Sequence, residues 1–511
     1  MGLRFTHVNG ASPNKRMIET MGSGAGFLDY DNDGFLDAIV VGGVPEQGPR
    51  LFHNEGGKRF VDVTAASGIR TPGIFGMGVA VADFDNDDFP DLYLAGYPRN
   101  YLFRNSGSGR FRDVTAEADV AAGGWSTSAV FFDYNGDGWL DLYVGRYVSY
   151  EPAREPFCGI RKDGWRSYCL PDVFGGISGV LYRNRRGRSF VDATREARVA
   201  VPEAKTLGLA VSDYNRDGFP DLFVANDRVR NFLFRNRGDG TFEDRAELDG
   251  VAYSDDGAAR AGMGCDFADF DNDGNADVLV TNFETEGAGL FRNDGRGSFT
   301  DVANRSSLGR RSYLFVGFGA KLVDLDADGR RDAFVVNGHV IDNIALYKDS
   351  VAYRQPKLVF HNTGVGFDSI ALPEDVSAPS VARAAAFGDF DNDGRIDVLI
   401  ANNGGPAELL ANVSSPDNHW LILKLVGTRS NRDGIGARVE LRAGPLRQTH
   451  EATAGSSYLS ANDPRVFCGL GPRRRAERID IHWPSGTIQT LENVSANQVL
   501  RVVEPHEVKQ P

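Results

Sequence analysis

Asp29-Tyr30-Asp31-Asn32-Asp33-Gly34-Phe35-Leu36-Asp37 places three carboxylates on alternate positions, then a glycine, then a closing aspartate. The same nine-residue frame begins again at Asp83, Asp133, Asp213, Asp269, Asp324 and Asp389. Successive starts lie 54, 50, 80, 56, 55 and 65 residues apart. Periods of this size belong to propellers and other repeat arrays.

The flanks repeat as well. A small-residue run precedes each loop, such as Gly78–Ala82 or Gly208–Ser212, and a β-branched run follows, such as Ala38–Val41 or Val278–Thr281. Next comes a Leu-Phe-Arg-Asn type segment at Leu102–Asn105, Leu181–Asn184, Leu233–Asn236 and Leu290–Asn293. A fourth run begins at Phe60, Phe111 and Phe190. Four short strands per unit predict an all-β, seven-bladed β-propeller over residues 1–413. The seventh unit, ending at Leu409–Asn412, lacks its fourth strand. Residues 4–8 resemble the run at 59–63 and are expected to supply it, closing the ring and removing open sheet edges.

After Val413 the pattern changes. Ser414–Asp417 reads as a linker, and 418–505 as a smaller all-β domain with strands at Trp420–Val426, Ala437–Arg442 and Arg478–Trp483. Their apolar–polar alternation predicts sheets covered on one face, as in a small sandwich.

The loops point to a hard dication. Calcium takes six to eight oxygens at flexible geometry. Positions one, three, five and nine offer side-chain oxygens: Asp29, Asp31, Asp33 and Asp37; Asp83, Asp85, Asp87 and Asp91; Asp133, Asn135, Asp137 and Asp141; Asp213, Asn215, Asp217 and Asp221; Asp269, Asp271, Asp273 and Asp277; Asp324, Asp326, Asp328 and Asp332; Asp389, Asp391, Asp393 and Asp397. Position nine is expected to close each site with both oxygens. Up to seven structural calcium ions are expected. Magnesium prefers a strict octahedron, and the absence of thiol and imidazole from the frame disfavours zinc and copper. An EF-hand would need Glu at position twelve; here that position holds Val40, Leu94, Val144, Val224, Val280, Val335 and Ile400, all strand formers. Solvated acidic turns without an ion are the competing reading. Asn135 and Asn215 lower the charge of their loops, and Asp88 stands where the turn favours glycine.

The net charge of −14 follows from the 27 aspartates in these loops, so the acidity reads as metal-binding capacity. Nucleic acid is not an expected partner. No apolar run is long enough to span a membrane, and the first residues have no signal-peptide core, so the chain is either cytosolic or has shed a leader. Cys158 and Cys169, eleven apart in an insertion at 149–178, predict a disulfide more than a metal pair. Cys265 and Cys468 read as buried thiols.

These loops resemble the FG-GAP/VCBS calcium repeats of integrin α-subunit propellers. Asn431–Val439, Gly455–Ser460, Gly469–Gly471 and Trp483–Thr487 resemble an ASPIC/UnbV domain. The combination is similar to the cartilage acidic protein family. That resemblance implies a calcium-binding and usually exported protein, whose vertebrate members occur in extracellular matrix. No EGF-like module follows the tail domain, so a matrix role does not carry over.

The strand two–three loops of such a ring open on the face opposite the acidic loops. They bring Tyr97, Arg146, Tyr147, Asn226, Asp227, Asn282, Glu284, Asn337, His339, Asn402 and Asn403 towards the central channel, joined by Trp125, Lys205, Arg260 and Arg383 from the loops entering strand one. This set is the candidate ligand site. His339 with Asp227 or Glu284, and Arg146, are the candidates for acid–base work; the competing reading is that these groups cap turns. No nucleophile elbow, phosphate loop, HExxH motif or dinucleotide fingerprint occurs. The favoured expectation is a monomeric, calcium-stabilised binding or adhesion module, secreted, taking a protein or glycan at the channel face. The alternatives are an enzyme of secondary metabolism acting on a small molecule there, and a scaffold whose tail domain docks to another chain.

Overall fold

A computed structural model describes residues 1–414 and 417–506; the middle of the expected linker, 415–416, lies outside them. Seven sheets follow one another along the chain. The first is built from Ala25–Leu28, Asp37–Val40, Arg50–Asn54 and Phe60–Asp62, paired antiparallel in that order. The next five repeat the meander, and the seventh has three strands, Ala382–Gly388, Asp397–Asn402 and Glu408–Leu410. The first strand of each sheet packs on the first strand of the next, and Ala382–Gly388 packs back on Ala25–Leu28. The sheets are the blades of a closed propeller.

Two repeated devices hold the blades together. The asparagine ending each third strand donates its amide to a backbone carbonyl in the acidic loop of the preceding blade. The donors run Asn105 to Tyr30, Asn184 to Phe84, Asn236 to Tyr134, Asn293 to Tyr214, Asn362 to Phe270 and Asn412 to Leu325, and Asn54 to Phe390 completes the circle, all at 2.7–2.9 Å. Aromatic pairs run beside these bonds, such as Tyr30 on Phe111, Phe84 on Phe190 and Phe390 on Phe60. Edge-to-face and tilted pairs of this kind add about 0.5–1.5 kcal/mol each beyond their area.

The N-terminal segment closes the ring differently from the expectation. Thr6 bridges Pro406, the His7 amide donates to the Gly405 carbonyl, and the Ala407 amide donates to Phe5. The segment therefore latches the loop before the last third strand and forms no outer strand beside Leu409–Asn412. The reason is Phe5: it is buried with Phe27, Phe60 and Phe390, which draws the chain inward between the first and last blades.

The tail forms two sheets. His419–Val426 lies between Val466–Gly471 and Val499–Val503, and the second sheet runs Leu446–Glu451, Arg438–Ala443, Arg475–His482, Ile488–Ser495. Leu421, Leu423, Val439, Leu441, Ile479, Ile481 and Trp483 fill the space between them. This sandwich is not independent of the ring. Its segment 454–462 enters the channel, where Ser460–Ala461 pairs in parallel with Ala25–Gly26 and Ser457 bridges Cys265. Tyr458 and Leu459 are buried there, and Ser457 Oγ donates to the Ala385 carbonyl at 2.8 Å. Gly24 permits this passage, since a Cβ on it would lie 2.9 Å from the Leu459 carbonyl oxygen and 2.3 Å from that of Met77.

Candidate functional site

Each acidic loop is a tight turn with two residues in the left-handed region. Position four has φ of 57–71° and position six has φ of 79–96° in all seven. Glycine fills position six except at Asp88, φ 79°, where a side chain is held in the conformation that disfavours it. This turn aims backbone amides inward. In every loop but the first, the position-one carboxylate accepts the amides of positions five and six, as Asp269 does from Asp273 at 3.1 Å and Gly274 at 2.9 Å; Asp29 accepts from Gly34 alone.

Position nine also has a structural task. Asp37 accepts the Asn54 amide on Oδ1 at 2.7 Å and the Tyr30 amide on Oδ2 at 3.1 Å. The Oδ1 contact to the third-strand asparagine recurs in all seven blades. The closing aspartate thus ties loop, second strand and third strand together, and the same asparagine locks onto the loop of the preceding blade. Sequence reasoning missed this role of Asn54, Asn105, Asn184, Asn236, Asn293, Asn362 and Asn412. Its signal was their recurrence at the end of every Leu-Phe-Arg-Asn segment.

The loops concentrate charge. Asp29, Asp31 and Asp37 bring ligand oxygens within 4.8 Å of one another, as do Asp83, Asp85 and Asp91, and Asp269, Asp271 and Asp273. Two clusters include a histidine where the other blades carry arginine or alanine: His53 with Asp31 and Asp33, and His361 with Asp326 and Asp332. Burial, reinforced by neighbouring carboxylates, raises Asp37 and Asp277 to about 9 and Asp397 to about 8. Burial likewise pushes Asp91, Asp141, Asp221 and Asp324 well above the usual carboxylate range. Two carboxylates about 4 Å apart repel by about 4 kcal/mol at an effective dielectric near 20. The donor set is all oxygen apart from the two histidines, and some oxygens, Asp29 Oδ1, Asp85 Oδ1 and Asp221 Oδ2 among them, are buried with no hydrogen-bond partner among the described residues. Such a set fits a hard dication.

The tail covers this face. It reaches the first loop through Lys424, 3.2 Å from Asp29, and the second through Asp433, which accepts the Asp83 amide at 2.7 Å. The Arg429 carbonyl faces Gly138 in the third loop, and Glu451 meets the Asp213 amide in the fourth. Thr449 binds Arg331, which itself donates to Asp269 of the fifth; Asn418 donates to Asp326 of the sixth, and Arg465 donates to Asp389 of the seventh. The tail docks on its own ring.

The opposite face is closed. Trp125, Tyr147, Asn226, His339 and Arg383 are fully buried, and Lys205, Asp227, Asn282, Glu284, Asn337, Asn402 and Asn403 nearly so. Arg146, half-buried, donates to the Ser178 carbonyl at 2.6 Å, and Arg260 lies 3.6 Å from Asp301. Segments 15–24, 149–178 and 339–355 lie over them: Lys205 donates to Pro171, Arg383 to Thr20 and His339, and Asn403 to Glu19. Cys158 and Cys169 are bonded within this cap. His339 has its two ring nitrogens engaged, by Glu284 at 2.7 Å and by the Ile341 amide at 2.9 Å. Asp227 accepts the Tyr147 hydroxyl at 2.5 Å. The polar set is drawn together, but as a sealed network and not as an open channel.

Comparison with known proteins agrees with this architecture. Residues 29–94, 87–144, 213–280 and 269–335 match the FG-GAP-like repeat family, and residues 427–509 match the ASPIC and UnbV family. The chain therefore belongs to the proteins that join FG-GAP-like repeats to an ASPIC and UnbV domain. It is a homologue of cartilage acidic protein 1. The Xenopus tropicalis and Homo sapiens proteins are each 26% identical to it over 520 residues, covering 95% of this chain and 74% and 72% of theirs. Among solved structures, an Agrocybe aegerita lectin recognising non-reducing terminal N-acetylglucosamine aligns with a TM-score of 0.45 at 19% identity, over 76% of this chain and 87% of its own. YCF48 bound to D1 peptide aligns with a TM-score of 0.44 at 11% identity, over 80% and 96%.

Proposed function

We propose that this protein is a secreted binding module whose ring is held by calcium and whose ligand, a protein or a glycan, is taken on the outer surface of the cap. The observation that carries this reading is the division of labour between the two faces. The acidic loops are covered by the tail, and the polar channel residues are sealed, so neither offers a free site. The cap does. Its disulfide-stapled hairpin, Cys158–Gly159 paired with Arg166–Ser167, exposes Phe157 at 39% and Ile160 at 50%, with Tyr347 at 36% beside them. Arg161 and Arg166 stack on Phe157, Lys162 lies over Trp165, and Trp165 meets Tyr347 edge to face. Aromatic and arginine side chains held rigid are the residues that dominate binding energy at interfaces. At the hairpin tip Arg161, Lys162 and Arg166 outnumber Asp163, which favours a partner bearing carboxylate or sulfate groups.

The disulfide supports export, because such bonds persist in oxidising compartments. The enzyme reading draws less support: the imidazole of His339 is fully engaged and buried, so it has no nitrogen free for a substrate proton. Binding of the intact protein to an acidic glycan array and to a Trp165→Ala, Arg166→Ala variant tests the proposal. Retention that falls at least tenfold in the variant is expected. Equal retention by both would remove the cap as the binding surface.

A further inference from the structure

The fourth acidic loop departs from the other six in ways that converge on one side chain of the tail. Asn215 takes the third position, leaving the loop with three carboxylates, Asp213, Asp217 and Asp221. In the other loops the Oδ2 of the closing aspartate accepts the amide of position two. Asp221 is fully buried, and its Oδ2 has no partner among the described residues. Ser212, also buried, adjoins the loop beneath Glu451. Over this loop stands Glu451, the last residue of a tail strand, with Oε2 3.3 Å from the Asp213 amide. Ser212, Asp213, Asp217 and Glu451 share a cavity of about 330 Å³ between ring and tail, room for an ion with its waters.

We propose that the fourth loop and Glu451 form one composite calcium site across the ring–tail interface. Asp213, Asn215, Asp217 and Asp221 supply the ring's oxygens, and Glu451 restores the carboxylate lost at Asn215. The second loop also receives a tail carboxylate, Asp433 on the Asp83 amide at 2.7 Å, but keeps aspartate at position three; the third loop has the asparagine and meets the Arg429 carbonyl at Gly138, so the fourth alone pairs the asparagine with a tail carboxylate. The inference rests on the calcium reading of the loops. Since the complete ligand set exists only when the tail is docked, occupancy of this site and docking reinforce each other. Arg438 and Arg216 line the same cavity and balance its charge when no ion is bound.

Native mass spectrometry of the full chain at stepped free calcium, with hydrogen exchange on the same samples, tests this. Glu451→Gln is expected to lose one ion at calcium concentrations that saturate the unaltered protein, a weakening of at least about tenfold, since ligand charge tunes such sites. Exchange across Leu446–Glu451 is expected to rise towards the level seen in chelator. Asp221→Asn is expected to lose the same single ion, and the double variant no second one, while Glu492→Gln, on an exposed strand, changes neither readout. An unchanged ion count and unchanged exchange in Glu451→Gln would overturn the composite site while leaving calcium in the ring intact. No uptake by the unaltered protein would overturn both.

Discussion

Asn293 shows how one repeated side chain serves two blades. Its backbone amide meets Asp277, and its side chain donates to Tyr214 of the neighbouring loop at 2.9 Å and to Ala276 at 3.1 Å. Asn293→Ala leaves the buried Tyr214 carbonyl without its donor, a cost of about 1–3 kcal/mol, and frees the part-buried Ala276 carbonyl as well. Chemical denaturation is expected to show a loss in that range, with the same result for Asn236→Ala and almost none for the surface change Asp239→Ala. The closing carboxylates make a second residue-scale prediction. Asp37 and Asp277 rise from an ordinary 3.8 to about 9 on folding, so the metal-free folded chain holds protons that the unfolded chain releases. Stability of the chelated protein is then greatest below about pH 4 for this contribution and falls as pH rises towards 9. Calcium, binding the ionised form, is expected to flatten or reverse that slope in melting curves taken from pH 5 to 8.

Strands and loops carry the next level. The blade strands were legible because apolar runs bracket the acidic loops at a steady interval, and the loops themselves announced a hard cation. The asparagine lock was visible as a repeat but unreadable as a contact, because Asn54 and Phe390 meet only when the ring has closed. The inward turn of Phe5 was hidden for a similar reason: its likeness to Phe60 gave the residue type, while its register depended on the first and last blades together. Segment 454–462 had a recognisable sequence and no readable destination. Tyr458, whose hydroxyl donates to Met21 at 2.9 Å, fills the hub beside Phe318. Tyr458→Ala is expected to lower stability by about 3–5 kcal/mol and to loosen ring and tail in one transition, read by calorimetry. The cap is expected to behave separately. A Cys158→Ala, Cys169→Ala variant removes a cross-link worth about 3 kcal/mol to its eleven-residue loop, and limited proteolysis within 149–178 should accelerate while the ring's melting is little changed.

At the scale of the molecule, ring and tail form one structure with acidic loops between them. The tail reaches all seven loops and sends a plug through the centre, so neither part has its full set of contacts alone. On the proposed reading, a divalent cation in these loops lets buried carboxylates coexist and thereby holds the blades in a circle. Differential scanning calorimetry of the full chain, with calcium and after exhaustive chelation, tests it most directly. A single transition in calcium is expected, falling by at least about 10 °C and broadening on chelation, and returning when calcium is restored. A chelated protein that melts at the same temperature, with the same cooperativity, would contradict it.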